Sequence, residues 1–449
     1  MNRAVVSFAR LGDDRTLLRL SEAPLDIPDM HRLDPIDVTP PRGAGARERG
    51  ADLLERLRAH PPVRACIDNA LAIPPAGDPL PLLFHMEAAA ADELPWEQLY
   101  AGPHGFMALD RRWPLARIAR WRRTQRDRVL ARPFRIVAVL AAVGRSGVPQ
   151  LEALRAALDD APATAVGARL HVISGEQRVL DLVAEWGDER VTAEPVTPDL
   201  ERRLAAAQPD LLHLLCHGGR VAEGLRALAF GTLGDFDAGE PPGGVVLSAT
   251  AVAAAIAPCD VWMVVVCACA SADASEGPAL AHDLVNAGLP AAIGMRRVVD
   301  LEDANRFCAA LYPRVMEVVG DVAAPAGGEA GVRELDWCTV LNDARAALGR
   351  RDASADTWSD PILYVQDQAL RVYVPPAPAP PAARGDDATA RPDGGRAPSA
   401  EEYARLRGAL DQFEAFRAGL DPAWTPPAVV ADVEARIRAL RERLAGVGG

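Results

Sequence analysis

The chain has 449 residues, with 49 basic and 62 acidic side chains and a formal net charge of −13. This negative balance disfavours a nucleic-acid groove or an anionic membrane surface as a partner. Every basic residue is an arginine, which excludes a Walker A loop, a pyridoxal phosphate Schiff base and a Ser/Lys dyad, because each needs a lysine amine.

Composition also indicates where the protein works. Residues 1–14 lack the charged and then apolar order of a signal peptide. The longest apolar run, 261–272, is shorter than the roughly 20 residues that a membrane helix needs. The seven cysteines include no C-x-x-C pair, which favours reduced thiols over a disulfide framework or a zinc ribbon. From these features we expect a cytoplasmic protein. A lysine-free chain rich in Ala and Arg is typical of a GC-rich bacterial genome, so we also expect a bacterial source.

The first 130 residues are less regular than the rest, with a helix predicted over 50–60 and a strand over 80–86. Beyond them, short apolar runs alternate with amphipathic stretches. Strands are predicted at 136–143, 170–174, 211–215, 245–247, 261–267 and 291–295, and helices at 151–158, 177–186, 198–207, 278–287 and 301–319, with one more capped by Ser248. This alternation predicts an α/β fold, with a mostly parallel sheet and helices on both faces.

The C-terminal part differs in composition. Residues 375–398 are dense in Pro, Ala, Gly and Asp, which is typical of a semi-rigid linker. Residues 399–449 carry two apolar stripes at helical spacing and predict a small helical hairpin. A pair of helices this small needs a third surface to cover its apolar faces. We therefore expect the hairpin to dock a regulatory protein partner, or to fold back onto the chain.

Two strand ends carry the candidate chemistry. The strand at 211–215 runs into His217 and Gly218, and the strand at 261–267 leads to Cys269. Ligands of open parallel sheets bind beyond the carboxyl ends of the strands, where these side chains can meet. An imidazole can take the thiol proton, and the thiolate can then attack an acyl carbon. Gly218 leaves room for backbone amides to approach the developing oxyanion.

Simpler interpretations stand beside this one. A cysteine in an apolar strand is commonly a small buried hydrophobe. The i, i+4 spacing of His213 and His217 fits a metal site, but no fourth ligand is apparent. We therefore expect no metal and no cofactor, and we interpret His213 as a buried residue hydrogen-bonded near the site.

Four charged residues are candidates for a substrate pocket. Asp273 and Glu276 either line that pocket or cap the helix that follows them. Arg296 and Arg297 either bind an acidic substrate side chain or form a solvated pair.

Several segments resemble a known family. Residues 94–100 and 105–110 read LPWEQLY and GFMALD, and they resemble the LPWELLY and GFLAL segments of CHAT domains, the caspase-like peptidase relatives of separase. Residues 213–218 resemble the family's LHFACHG segment, and 265–269 resemble its VLSAC segment. The separation between His217 and Cys269, 269 − 217 = 52, agrees with the roughly 50 residues between the caspase histidine and cysteine.

The resemblance implies a caspase-like fold, with the N-terminal part of the CHAT region over 1–130 and the catalytic core over 131–374. It implies His217 as general base, Cys269 as nucleophile, and the amides of Gly218 and Cys269 as oxyanion donors. The implied activity is a cysteine endopeptidase that cleaves a specific protein partner in a bacterial antiviral defence or signalling system. The alternatives are a catalytically silent scaffold that binds a partner, and a different acyl-transfer hydrolase.

The sequence also departs from the family pattern. Ser271 and Ala272 stand where the family has Thr-Gly, Cys267 replaces a serine, and residues 295–297 read MRR in place of SLW. Because the histidine and cysteine are both present, these departures bear on substrate specificity more than on activity.

Overall fold

A computed structural model describes most of the chain. The described residues are 2–12, 15–119, 125–130, 132–160, 163, 166–220, 226–239, 244–269, 271–274, 279–323, 331–350, 355–375 and the single residues 407, 434, 437, 438 and 441. Residues 1–256 and 260–375 form one compact unit, and 257–259 with 376–449 form a second. Apart from Pro375 and the five single residues, the linker and the hairpin lie outside the described residues. The hairpin and the domain boundaries therefore stay predictions.

Strands and helices alternate along the first unit. The strands are β1 (Ala4–Leu11), β2 (Arg15–Glu22), β3 (Asp34–Pro35), β4 (Leu82–Met86), β5 (Leu115–Ile118), β6 (Arg128–Val129), β7 (Arg135–Leu140), β8 (Arg169–Ser174), β9 (Val191–Pro195), β10 (Leu211–Leu215), β11 (His217–Arg220), β12 (Arg226–Phe230), β13 (Val245–Ser248), β14 (Met263–Cys267), β15 (Ala291–Met295), β16 (Gly331–Leu335), β17 (Pro361–Val365) and β18 (Leu370–Val374). The α-helices within the described residues are α1 (Ala46–Arg58), α2 (Pro61–Leu71), α3 (Ala89–Asp92), α4 (Val148–Asp159), α5 (Gln177–Trp186), α6 (Leu200–Ala207), α7 (Leu233–Ala238), α8 (Ala249–Ile256), α9 (Leu280–Asn286), α10 (Leu301–Ala323) and α11 (Val340–Gly349).

One sheet of twelve strands runs through the first unit. Its order is β3-β2-β1-β4-β5-β17-β15-β14-β10-β7-β8-β9. The pairings are parallel except for β1 with β2, β2 with β3 and β15 with β17. The predicted α/β class with a mostly parallel sheet is confirmed. Strands β1 to β5, from the part of the sequence that looked least regular, belong to this same sheet.

Helices cover both faces of the sheet. His213 on β10 pairs with Val265, which pairs with Ile293, so these three residues share a face. Helix α10 covers that face, because Tyr312 is hydrogen-bonded to His213. Gly294, next to Ile293, points the other way, and a Cβ there would lie 2.9 Å from the Cβ of Ala281 on α9. Helices α9 and α10 therefore lie on opposite faces.

Most predicted elements are present with small shifts in their ends. Helix 177–186 and strands 211–215 and 291–295 match in full. The predicted cap of α8 is confirmed, because the amide of Ala251 donates to the Ser248 hydroxyl at 3.1 Å. Within the described residues, no helix is both long and apolar enough to span a membrane.

Two small sheets were not predicted. One contains β11, β12 and β13, and the other contains β16, β18 and β6. The first changes the interpretation of the histidine segment: β10 ends at Leu215 and His217 begins β11, which pairs antiparallel with β12. His213 and His217 therefore do not lie on one strand, and their i, i+4 spacing has no metal-binding meaning there.

A buried ion network joins distant parts of the sequence. The guanidinium of Arg117 lies 2.7 Å from Glu97 and 2.7 Å from Asp92, and Arg296 lies 2.8 Å from the same Glu97 carboxylate. The side chains of Arg117 and Glu97 are 0% and 2% exposed. Burial opposes ionisation of Glu97, but the two guanidinium groups outweigh it and hold its pKa at about 2. The network fastens the segment after β15 to the segment that precedes β5.

We predict that Glu97→Gln lowers the free energy of unfolding by about 3–5 kcal/mol, because it leaves two arginines short of a buried carboxylate. Urea denaturation of the full chain measures this loss. The matched control is Glu185→Gln, since Glu185 pairs with Arg178 and both side chains are 57% exposed. We expect the control to cost less than about 1 kcal/mol.

The same carboxylate predicts a pH dependence. Its pKa is lowered by folding, so its contribution is complete above the ordinary value of 4.5 and is lost as pH falls towards about 2. The wild-type chain should therefore lose stability over this range more steeply than Glu97→Gln does. The ion-pair account is contradicted if Glu97→Gln and Glu185→Gln lose the same free energy of unfolding, or if the stability of wild type and of Glu97→Gln changes in parallel with pH.

Candidate active site

The two candidate residues follow paired strands. Strands β10 and β14 are parallel neighbours, and their register pairs the last residue of one, Leu215, with the last residue of the other, Cys267. His217 and Cys269 each follow two residues after this pair, in the segments that leave β10 and β14. The register alone therefore brings the predicted histidine and cysteine to the same edge of the sheet.

Beyond the strands, the two backbones come into direct contact. A Cβ built on Gly218 would lie 2.2 Å from the carbonyl oxygen of Cys269 and 3.5 Å from the Cβ of Ala268. The first distance is far below van der Waals contact with a backbone atom, so only glycine fits without moving the chain. The next residue, Gly219, faces open space, since a Cβ there meets nothing within 4 Å. Glycine is thus required at 218 for close approach to Cys269, and not at 219.

A backbone carbonyl orients the imidazole of His217. Its Nε2 lies 2.8 Å from the carbonyl oxygen of Val143, in the segment that follows β7. A carbonyl can only accept, so Nε2 carries the hydrogen and donates it, which leaves Nδ1 as the nitrogen that can take up a proton. Val143 could not be identified from the sequence, because a backbone acceptor leaves no signal in the side-chain pattern.

A pocket opens at this edge of the sheet. Its lining residues are Arg145, Leu215, Cys216, His217, Cys267, Ala268, Cys269, Met295, Val299, Leu301 and Ala304. Cys269 is half-buried, whereas Cys267 and Cys216 are buried. Burial raises the pKa of the Cys216 thiol well above its usual value, so Cys216 stays protonated and unreactive.

The turn after Cys269 is held by Ser271, which was identified from the sequence only as a departure from the family pattern. Its hydroxyl donates to the carbonyl of Val266 at 3.0 Å and accepts from the amide of Met295 at 2.8 Å. The residue is 2% exposed. These bonds tie the turn to β14 and β15, and a polar residue within an apolar stretch is the signal that could have indicated its role.

The predicted pocket residues have partners within the protein. Arg296 pairs with Glu97, and Arg297 pairs with Asp360 and Asp356 at 2.7 Å each. Arg296 is largely buried, with 13% of its side chain exposed, whereas Arg297 keeps 46% of its side chain exposed. Together with Asp273 they border an open pocket beside the 271–274 segment.

Of the two acidic candidates, the structure describes only Asp273. Asp273 lies 3.8 Å from Arg226. Helix α9 begins at Leu280 with Ala279 at its N-cap, so Asp273 does not cap it. Glu276 lies outside the described residues.

Comparison with known proteins identifies the family. The model of the CHAT domain family matches residues 48–331. Among solved structures, the chain is similar to two crystal structures of the Saccharomyces cerevisiae separase–securin complex, at 13% and 12% identity and a TM-score of 0.35 for each. Each match covers 66% of this chain and 16% of the other, so this chain spans only a small part of those relatives. A search of curated proteins found no match.

The contact between Gly218 and Cys269 predicts a clear difference between two adjacent glycines. Gly218→Ala should destabilise the protein by about 1–3 kcal/mol, because the methyl group displaces the backbone of Cys269. Gly219→Ala should leave the melting temperature nearly unchanged, since its methyl group enters open space. Thermal denaturation of the full chain compares the two variants. Similar melting temperatures would show that the two segments are not in contact.

Proposed function

The chain belongs to the CHAT domain family, and from this premise we propose that it is a cysteine endopeptidase with His217 and Cys269 as its catalytic dyad. The observation that carries the proposal is the contact between Gly218 and Cys269, at a pocket that both dyad residues line. A histidine with one nitrogen fixed and a half-buried cysteine in one pocket are the parts that thiol catalysis requires.

The proposed mechanism uses each contact. Val143 holds the Nε2 hydrogen of His217, which leaves Nδ1 to take the proton from the Cys269 thiol. The thiolate attacks the scissile carbonyl, and the amides of Gly218 and Cys269 stabilise the oxyanion. His217 then gives the proton to the leaving amine, and a water molecule activated by the same imidazole hydrolyses the thioester. Ser271 acts as a positioning residue by fixing the turn after the nucleophile.

The test of this function is peptide cleavage by the full chain. A peptide library, read by mass spectrometry, should yield defined cleavage products. Cys269→Ala should abolish them, and His217→Ala should lower kcat/KM by about 10²–10⁴-fold, as expected for loss of a general base. The control, Cys338→Ala, removes another buried thiol remote from the pocket and should retain activity.

Two outcomes would support the alternatives instead. A folded chain that cleaves no peptide and gives no covalent adduct with a thiol-directed acyl probe would indicate a silent scaffold. Hydrolysis of small esters or amides without peptide cleavage, lost in Cys269→Ala, would indicate a different acyl-transfer hydrolase.

We further propose that the substrate residue preceding the cleaved bond is basic. The pocket beside residues 271–274 contains both charges, but its arginines are neutralised: Arg296 by Glu97, and Arg297 by Asp356 and Asp360. Glu93 is exposed at the pocket, and the half-buried Asp273 also borders it, paired with Arg226 at 3.8 Å. The exposed carboxylate of Glu93 favours arginine or lysine in a ligand.

Asp273→Asn should lower kcat/KM for peptides cleaved after arginine by about tenfold, because it removes one of the carboxylates that border this pocket. Peptides cleaved after neutral residues should be affected much less. Asp343→Asn is the control, since Asp343 pairs with Arg111 away from the pocket. Equal loss with all peptides would give Asp273 a structural role, and preferred cleavage after acidic residues would assign specificity to Arg297.

The proposal also includes a biological setting. Family membership and the composition of the sequence support three features of this setting. These are a specific protein as substrate, a cytoplasmic site of action, and a role in bacterial antiviral defence or signalling. The segment 399–449 is proposed as the docking element for a regulatory protein, on the basis of its two apolar stripes.

A further inference from the structure

Three side chains with metal-binding chemistry meet beneath the pocket. His213 on β10, Cys267 at the end of β14 and Cys308 on α10 come from three separate elements. One ring nitrogen of His213 and the two Sγ atoms all lie within 4.8 Å of one another. The three residues are 0%, 6% and 0% exposed. We propose that this cluster binds a single Zn²⁺ ion. The proposal goes beyond the peptidase function and does not depend on it.

The separation of the two sulfur atoms fits one ion. Zinc binds thiolate sulfur at about 2.3 Å in tetrahedral geometry, so two sulfurs on one ion lie about 3.8 Å apart. The Sγ atoms of Cys267 and Cys308 are 3.7 Å apart. The site can therefore accept the ion with little movement of these two side chains.

The histidine is oriented as a ligand. Its Nε2 lies 2.7 Å from Oε1 of Gln150, which can only accept, so Nε2 carries the hydrogen. The lone pair is then on Nδ1, which accepts the hydrogen of the Tyr312 hydroxyl at 2.5 Å, so an ion that binds Nδ1 must displace this hydrogen bond. Tyr312 is one helical turn after Cys308, so Nδ1 is the nitrogen on the side of the thiols. A ligating histidine typically donates its other N–H to an acceptor of this kind, which fixes the ring.

The charges balance as well. Binding converts two thiols and Zn²⁺ into a neutral bis-thiolate complex and releases two protons to solvent. A neutral complex is compatible with an apolar interior, whereas a hard cation such as Mg²⁺ would find only soft ligands here.

The cluster adjoins the pocket and a tyrosine hydroxyl. Cys267 lines the same pocket as His217 and Cys269. Once displaced from Nδ1, the Tyr312 hydroxyl is the neighbouring oxygen that can turn to the ion and complete a tetrahedral set. The sequence-based expectation of no metal considered only the pair His213 and His217. The structure instead brings His213 together with Cys267 and Cys308, which lie 54 (267 − 213) and 95 (308 − 213) residues later in the sequence.

Cobalt titration of the full chain tests the proposal. The protein is reduced, stripped of metal with a chelator and titrated with Co²⁺, whose thiolate charge-transfer and tetrahedral ligand-field bands report the site. We expect saturation at one equivalent, and stoichiometric loss of the bands when Zn²⁺ is added. Cys269→Ala should retain these bands, and so should the control Cys338→Ser, which alters another buried cysteine.

Cys308→Ser should weaken binding at least about tenfold. Cys267→Ser gives a second variant that is expected to fold, because serine is the residue that CHAT domains resembling this one have there. Near-ultraviolet circular dichroism of the metal-free variants verifies their folding. The proposal is overturned if the folded wild-type chain gives no charge-transfer band, or if both serine variants bind like wild type. It is also overturned if Cys269→Ala loses the bands, since the ion would then be bound by the dyad in the pocket.

Discussion

The parallel pairing of β10 with β14 is the constraint on which the candidate site depends. Leu215 and Cys267 end the two strands as register partners, so the residues that follow must leave the sheet side by side. The contact between Gly218 and the carbonyl of Cys269 then fixes how closely the two segments approach. A shift of one residue in this register would turn each side chain to the opposite face and separate the histidine from the cysteine. The site is therefore a consequence of strand pairing before it is a consequence of side-chain chemistry.

The surroundings of the site are held by buried charge. Arg117 and Glu97 are buried ion-pair partners that also engage Arg296, directly after β15. Removing such ions from water costs several kcal/mol each, so the network gains little net stability over an apolar core. Its geometry, however, is specific, because a guanidinium group and a carboxylate satisfy each other in few arrangements. We interpret it as the interaction that fixes the edge of the pocket beside residues 271–274 relative to the first strands.

The alternation of apolar runs was sufficient to predict the α/β class and the strands β7, β8, β10, β14 and β15 of the large sheet, but not its strand β9. Where prediction failed, the missing information was long-range. The β11 strand begins at His217 and continues through two glycines, so it has no alternation to identify it. The partners of Arg296 and Arg297 are also distant in the sequence: Glu97 lies 199 residues from Arg296, and Asp360 lies 63 from Arg297. Local pattern therefore identified the candidate residues, and only the fold gave their partners.

The central claim is that His217 acts on the thiol of Cys269, and the rate of thiol alkylation tests it most directly. Iodoacetamide reacts with thiolates, and an ordinary thiol near pKa 8.5 is mostly protonated at neutral pH. Mass spectrometry of the full chain at neutral pH resolves the modification of each of the seven cysteines. The account predicts that Cys269 reacts first and that His217→Ala slows its reaction several-fold without altering the other cysteines. An unchanged rate in His217→Ala, or preferential modification of Cys267, would contradict it.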